Sequence, residues 1–284
     1  MPPQIDGKID LGGHTGFSRL QIFAHRFAPV QASWLGYPGT TGADFIDYLI
    51  ADRVVAPDED QLFFSEKLVH LPHTYFPTDP DHVIGPTPSR AELGLPEDGF
   101  VFCSFNNSWK ITRPVFALWL RLLHAVPDSV LWLKAAPPET RINLARELVM
   151  QGVAGERLVW AGDTPLENHL ARHRAADLFL DTLPYNAHAT AADALWTGLP
   201  VLTVKGETFP GRVAASLLGA IGMPELVTNS LEEYEALALA LARDPARLAD
   251  LKQKLARNIA ATPLFDADRF TRDLEAAYLT MSRR

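Results

Sequence analysis

The sequence predicts an α/β fold built on a doubly wound parallel sheet, and two observations carry that reading. From Val101 onward, short apolar runs alternate with amphipathic stretches at the spacing of repeated strand–helix units. One unit, LFLDTLPYNAHATAADALWTGLPV (178–201), takes a buried strand through a Pro-Tyr-Asn turn into the start of a helix. A helix start carries unpaired N–H groups and about half a positive charge, so it is a ready phosphate site. Open α/β sheets bind nucleotides where strands end in this way.

The elements follow in order. KIDLGGHTGFSRLQIF (8–23) reads as a short strand, a Gly-rich turn and a helix, and VQASWLGYPGTTG (30–42) as a strand entering a Pro-Gly turn. YLIADRVVAP (48–57) and KLVHLP (67–72) add further α/β pieces, too few to close a domain alone. A stretch rich in Pro, Gly and Asp (77–99) reads as a connection. The apolar runs 101–105, 129–135, 157–162, 178–181 and 201–204 are bracketed by turn residues and suit strands buried on both faces. Between them 114–125, 140–152, 166–176, 190–197 and 212–221 read as helices, with Pro114 suited to a first turn. Segments 231–244, 245–259 and 266–281 end the chain as helices. The expected organisation is a partial N-terminal lobe at 1–84, a linker at 85–98, and a nucleotide-binding lobe with C-terminal helices at 99–284.

Composition narrows the function. A net charge of -8 disfavours a nucleic-acid partner, which calls for a basic face. The lone cysteine, Cys103, sits in an apolar run, so a core position is expected rather than a nucleophile or a disulfide. MPPQIDGKID has no signal-peptide core and no apolar run has the length of a membrane span, so a cytoplasmic location is expected. G-x-S-x-G, Walker A, G-x-G-x-x-G and zinc spacings are absent, which disfavours hydrolases, P-loop NTPases and dinucleotide enzymes.

Several polar residues follow strand ends. Asn106, Asn107 and Lys110 in FNNSWK come after the strand 101–105, where an amide and an ammonium can meet a phosphate. The plainer alternative is a solvated loop. His169 and Arg172 lie three apart on one helical face and could serve a base and its oxygens, or simply form a charged exposed surface. His188 and Thr190 stand at the helix start, and Asp193 within its first turn either favours the dipole or accepts from ribose hydroxyls. KGETFPGR (205–212) and His14 in DLGGHTG are further polar loops after strands.

Taken together, DLGGHTG, APVQASWLGYPGTTG, DYLIADRVVAP, SEKLVHLPHTYFP, FNNSWKI, VPDSVLWL, LDTLPYNAHATAADALWTGLPV and GETFPGRVAAS resemble, in order and over nearly the whole chain, the catalytic region of the O-linked N-acetylglucosamine transferases and SPINDLY proteins, glycosyltransferase family 41. The resemblance implies a glycosyltransferase B fold, with one complete Rossmann-like lobe here and a partial N-terminal lobe. It implies transfer of N-acetylglucosamine from UDP-GlcNAc to Ser or Thr hydroxyls of proteins, with neither metal nor other cofactor. By position Lys110 and His188 become catalytic residues, with Lys110 neutralising the diphosphate leaving group. Asn107 falls where the family often has Gln, His169 packs on uracil, and Arg172 lies beside the base. His188 and Thr190 fall at the diphosphate and Asp193 at the ribose. Ala189 departs from a family Thr, so a hydroxyl donor is lost and weaker phosphate binding is expected. Family members carry a longer N-terminal lobe after tetratricopeptide repeats, so a fragment or truncated product is expected, its nucleotide half intact. The alternatives are a nucleotide-sugar-binding remnant inactive alone, a GDP-fucose-dependent protein O-fucosyltransferase, and a sugar-nucleotide epimerase of the same fold.

Overall fold

The structure, a computed structural model, describes residues 7–282. Residues 1–6 of the segment read for a signal peptide, and residues 283–284, lie outside the described residues. Two all-parallel sheets organise the molecule. The smaller holds β1 (Gly7–Asp10), β2 (Val30–Ser33), β3 (Tyr48–Asp52) and β4 (Lys67–Leu71) in chain order. The helix expected after the first Gly-rich turn is instead a short 3₁₀ segment, Leu20–His25, in which Leu20 alone is buried. Without an inward apolar stripe, an isolated α-helix of that length has nothing to stabilise it.

The larger sheet begins with β5 (Val101–Ser104), α1 (Arg113–Ala125), β6 (Val130–Lys134), α2 (Pro138–Met150) and β7 (Leu158–Ala161). It continues through α3 (Leu166–His173), β8 (Leu178–Leu180), α4 (Ala189–Trp196), β9 (Val201–Val204), α5 (Val213–Ala220) and β10 (Val227–Thr228). Strand order is β10-β9-β8-β5-β6-β7. The chain winds outward from β5 to β7, then crosses back to place β8 on the other side of β5. The strand order therefore reverses between β5 and β8, and their C-terminal ends open a crevice. Both strands are buried, β5 as VFCS and β8 as LFL. Cys103 is part of this core, and burial pushes its thiol far above the ordinary range.

Three helices finish the chain: α6 (Leu231–Arg243), α7 (Pro245–Ala261) and α8 (Ala267–Ser282). Ser230 caps α6 by accepting from Glu233 N at 3.1 Å, and Asp244 caps α7 by accepting from Arg247 N at 3.0 Å. The third helix leaves the large lobe and covers the small sheet. Val30, Ala32, Ile50 and Leu71 pack with Ala277 and Met281, while Trp34 stacks on Phe270 at 6.0 Å. The period-two alternation of strands sends the neighbouring Leu49, Ala51 and Leu68 to the other face, where they join the main core.

Polar ties bind the lobes. Asp52 at the end of β3 accepts from Ser216 Oγ of α5 at 2.7 Å and from Tyr75 N at 2.9 Å. Arg212 pairs with Asp60. The connection is stapled as well: Arg90 donates to Gly99 O at 2.7 Å and to Asp177 at 2.8 Å.

Candidate functional site

The crevice starts from one carboxylate. Asp181, the first residue after β8, is buried, and its Oδ1 accepts from the N–H groups of Thr182 at 2.7 Å and Ala187 at 2.6 Å. Oδ2 accepts from Thr203 Oγ1 at 2.6 Å. Burial raises its pKa to about 6, against the pull of these donors. Asp181 thus folds residues 182–187 back on themselves. Asn186 closes the loop, donating from Nδ2 to Thr182 O at 2.8 Å and from its N–H to Pro210 O at 2.9 Å. Pro210 belongs to the 205–212 loop, which presses tightly here: a Cβ on Gly211 would lie 2.7 Å from Pro184 O.

Lys110 reaches this turn from a short 3₁₀ segment, Ser108–Lys110, after β5. Its Nζ donates to Asn186 O at 2.7 Å and lies 4.3 Å from the centre of the Tyr185 ring. Burial lowers its pKa to about 8, while Asp181 pulls it back up. Asn107, by contrast, is exposed at the lip. Its neighbour Asn106 is buried and donates to Thr182 Oγ1 at 2.9 Å and to Asp181 at 3.3 Å.

His188 is the residue before α4 and its imidazole meets Pro210 O through Nε2 at 3.3 Å. Burial first and then Lys110 lower its pKa to about 3, so the ring is neutral at pH 7. Its proton sits on Nε2 and Nδ1 keeps a lone pair, so the ring can accept but has no second proton to give. Donation to an anion falls to the first N–H groups of α4, at the exposed Ala189 and half-buried Thr190. The Thr190 hydroxyl is already engaged. Asp193, one turn on, is half-buried, and burial raises its pKa to about 6 against the influence of His82.

On the other wall, α3 turns His169, Arg172 and His173 toward Phe105. Arg172 is buried rather than part of an exposed charged face; it donates to Gly162 O at 2.6 Å and to His169 Nδ1. Its guanidinium lies 4.8 Å from the Phe105 ring centre. With Nδ1 accepting, the neutral His169 ring presents Nε2–H, and burial, Arg172 and Lys134 lower its pKa to about 4. His173 lies fully buried behind it, its Nδ1 donating to His169 O at 2.7 Å.

The structure therefore brings Lys110, His188, Ala189 and Thr190 together around one turn. It sets His169 and Arg172 on α3, across Phe105, and leaves Asn107 at the rim. Asp181, Tyr185 and Asn186 were not singled out from sequence, although a carboxylate ending a wholly apolar strand is a signal that could have found Asp181. In the small lobe, buried Glu66 accepts from Thr41 N at 2.6 Å and Thr40 Oγ1 at 2.7 Å, shaping the GYPGTTG turn. His14 Nε2 donates to Thr41 O at 2.8 Å beside Tyr37. Among the described residues, no group of three or more His, Cys, Asp or Glu side chains gathers as metal ligands would, and no helix is long and apolar enough to cross a membrane.

Known proteins resemble this chain in sequence and fold. A family described as glycosyl transferase family 41 matches residues 4–87 and 79–274. A probable UDP-N-acetylglucosamine–peptide N-acetylglucosaminyltransferase SEC of Arabidopsis thaliana is 39% identical over 280 residues, covering 96% of this chain and 29% of that protein. A SPINDLY protein of Petunia hybrida, named for the same activity, is 36% identical, over 99% of this chain and 30% of its own. The chain thus spans under a third of the length of these relatives. The solved O-GlcNAc transferase of Thermobaculum terrenum superposes with a TM-score of 0.89 at 39% identity, over 98% of this chain and 53% of its own. The glycosyltransferase WaaG, at 15% identity and a TM-score of 0.58 over 95% of this chain and 84% of its own, shares the fold alone. The fold is the expected α/β architecture of the glycosyltransferase B type.

Proposed function

Because the chain belongs to glycosyl transferase family 41, we propose that its crevice holds UDP-GlcNAc, in a catalytic region that glycosylates protein Ser and Thr hydroxyls. One observation supports this most: at the β5/β8 crossing, the Lys110 ammonium is held on Asn186 O, three residues before α4 opens at Ala189 with its unpaired N–H groups. Breaking the anomeric C–O bond places negative charge on the departing diphosphate. A half-buried ammonium and fixed N–H donors stabilise that charge without reorganising, an effect of several kcal/mol in comparable oxyanion sites. In this reading His169 stacks on the base, Arg172 fixes that ring, and Asp193 accepts from the ribose. His188 works as a neutral acceptor next to the transferred sugar, and Asn107 borders the entrance.

Lys110 supplies the cationic charge, so transfer proceeds without a metal and survives a chelator. The acceptor is a protein, and the location is cytoplasmic. Isothermal titration of this chain with UDP and with GDP, followed by transfer from UDP-GlcNAc to a Ser/Thr peptide, tests the reading. UDP binding that Lys110→Ala weakens supports it, whereas a preference for GDP moves the donor to GDP-fucose. UDP binding without turnover leaves a donor-binding unit that needs further polypeptide for transfer. Binding of neither nucleotide overturns the assignment.

A further inference from the structure

We propose that Tyr185 is a positioning residue of the diphosphate subsite, its ring holding the Lys110 ammonium and the His188 imidazole in fixed relation to each other. The inference rests on the donor reading above and names a residue which that reading leaves unused. Lys110 Nζ stands 4.3 Å from the Tyr185 ring centre, and the His188 ring stacks on Tyr185 at 4.8 Å with 23° between the planes. Trp109 meets the same ring edge-on at 5.1 Å and lies 5.6 Å from Nζ.

The next residue completes the hold, because Asn186 O accepts from Nζ at 2.7 Å. A lysine side chain is flexible and its ammonium strongly hydrated, so a fixed place for the charge must come from its surroundings. Here two consecutive turn residues provide it, one through a ring and one through a carbonyl. Asp181 behind the turn favours the cation, and the neutral His188 adds no charge of its own. The Tyr185 phenol is neutral too, since burial and then Tyr37 push its pKa up. An aromatic face attracts an ammonium most strongly where water is excluded.

The contacts with Lys110 and His188 are made by the face of the Tyr185 ring and not by its hydroxyl. The ring alone should therefore suffice. A purely space-filling role would be met equally well by an aliphatic side chain, and this separates the two.

The test uses wild type, Tyr185→Phe and Tyr185→Leu, with Tyr185→Met as a second ring-free variant should leucine unfold the turn. Two readouts are taken: UDP affinity by isothermal titration, and the pH profile of Lys110 acylation by mass spectrometry without nucleotide. Tyr185→Phe should match wild type in both. The ring-free variants should bind UDP about fivefold more weakly, the loss expected of a cation–π contact. Their acylation midpoint should move below the wild-type value of about 8. Unchanged affinity and midpoint in a folded ring-free variant overturn the proposal, as does an equal loss in Tyr185→Phe. Failure of UDP to bind wild type overturns the donor reading instead, and the acylation profile still measures the hold of Tyr185 on Lys110.

Discussion

The Thr190 hydroxyl donates to Asn106 Oδ1 at 2.6 Å, tying the start of α4 to the loop after β5. These are the two halves of the crevice, and Asn106 is the bridge between them. Its amide also donates to Thr182 and Asp181, so one side chain sets the distance from the Lys110 loop to the 182–187 turn. Asn106→Ala leaves buried groups unpaired and should lower stability by about 2–3 kcal/mol. It should also weaken UDP binding. Urea denaturation and titration on the same preparation check both, and a variant of wild-type stability and affinity would remove Asn106 from this role.

Lys110 connects charge to pH. Its pKa of about 8 in the free protein means that the ammonium is lost between pH 7 and 9. UDP affinity should therefore fall above pH 8, approaching tenfold per pH unit for a ligand that needs the cation. Lys110→Ala should bind weakly and without this slope. A variant that keeps the wild-type slope would mean that another group carries the titration.

Arg172 acts on His169 through charge and a hydrogen bond. Burial comes first in holding the imidazole near pKa 4, and the Arg172 charge comes second. Arg172→Met should raise that pKa while burial still keeps it below 6.5, and should free the ring to exchange its proton between nitrogens. Titration of the imidazole resonances reads this directly; an unmoved pKa would refute the coupling.

Acid stability depends on buried histidines. His173 has a folded pKa of about 3, lowered mainly by burial, against 6.5 when unfolded. Its stability contribution is whole above pH 6.5 and is lost as pH falls toward 3, because the unfolded chain binds the extra proton. His169 and His188 act in the same sense. Asp181 and Asp193, raised to about 6 from 3.8, act oppositely, with a contribution present below 3.8 and lost as pH rises through 6. The three histidines outweigh the two carboxylates, so the melting temperature should drop from pH 7 to pH 5. His173→Phe removes up to about 1.4 kcal/mol per pH unit from this slope. A thermal series over that range decides, and an unchanged slope would exclude His173 as its source.

Much of the large lobe was legible because its strands are buried on both faces, so VFCS and LFL stand out as apolar runs ended by turn residues. β10 is two residues long, too short to leave a pattern. The 182–187 turn could be read from its position after a strand, whereas the Asp181 scaffold beneath it joins residues far apart in the chain. Arg172 shows the limit of charge patterning: a helix rich in Arg and His reads as solvated, yet Phe105 and Gly162 O draw this guanidinium inward. The last segment was legible as a helix, but nothing local shows that its buried face belongs to the small sheet.

The packing of α8 has a consequence in time. Strands β1 to β4 leave the ribosome before the large lobe, yet Val30, Ile50 and Leu71 meet Ala277 and Met281 only after everything between has been made. Contacts spanning roughly two hundred residues close slowly, since a long loop must be ordered before they form. During synthesis the small sheet keeps one apolar face open until α8 emerges, so strands made before the large lobe reach their native packing after it. A nascent chain stalled before α8 should be a client for chaperones, while the crevice of the other lobe, composed of residues between 105 and 212, is already in place.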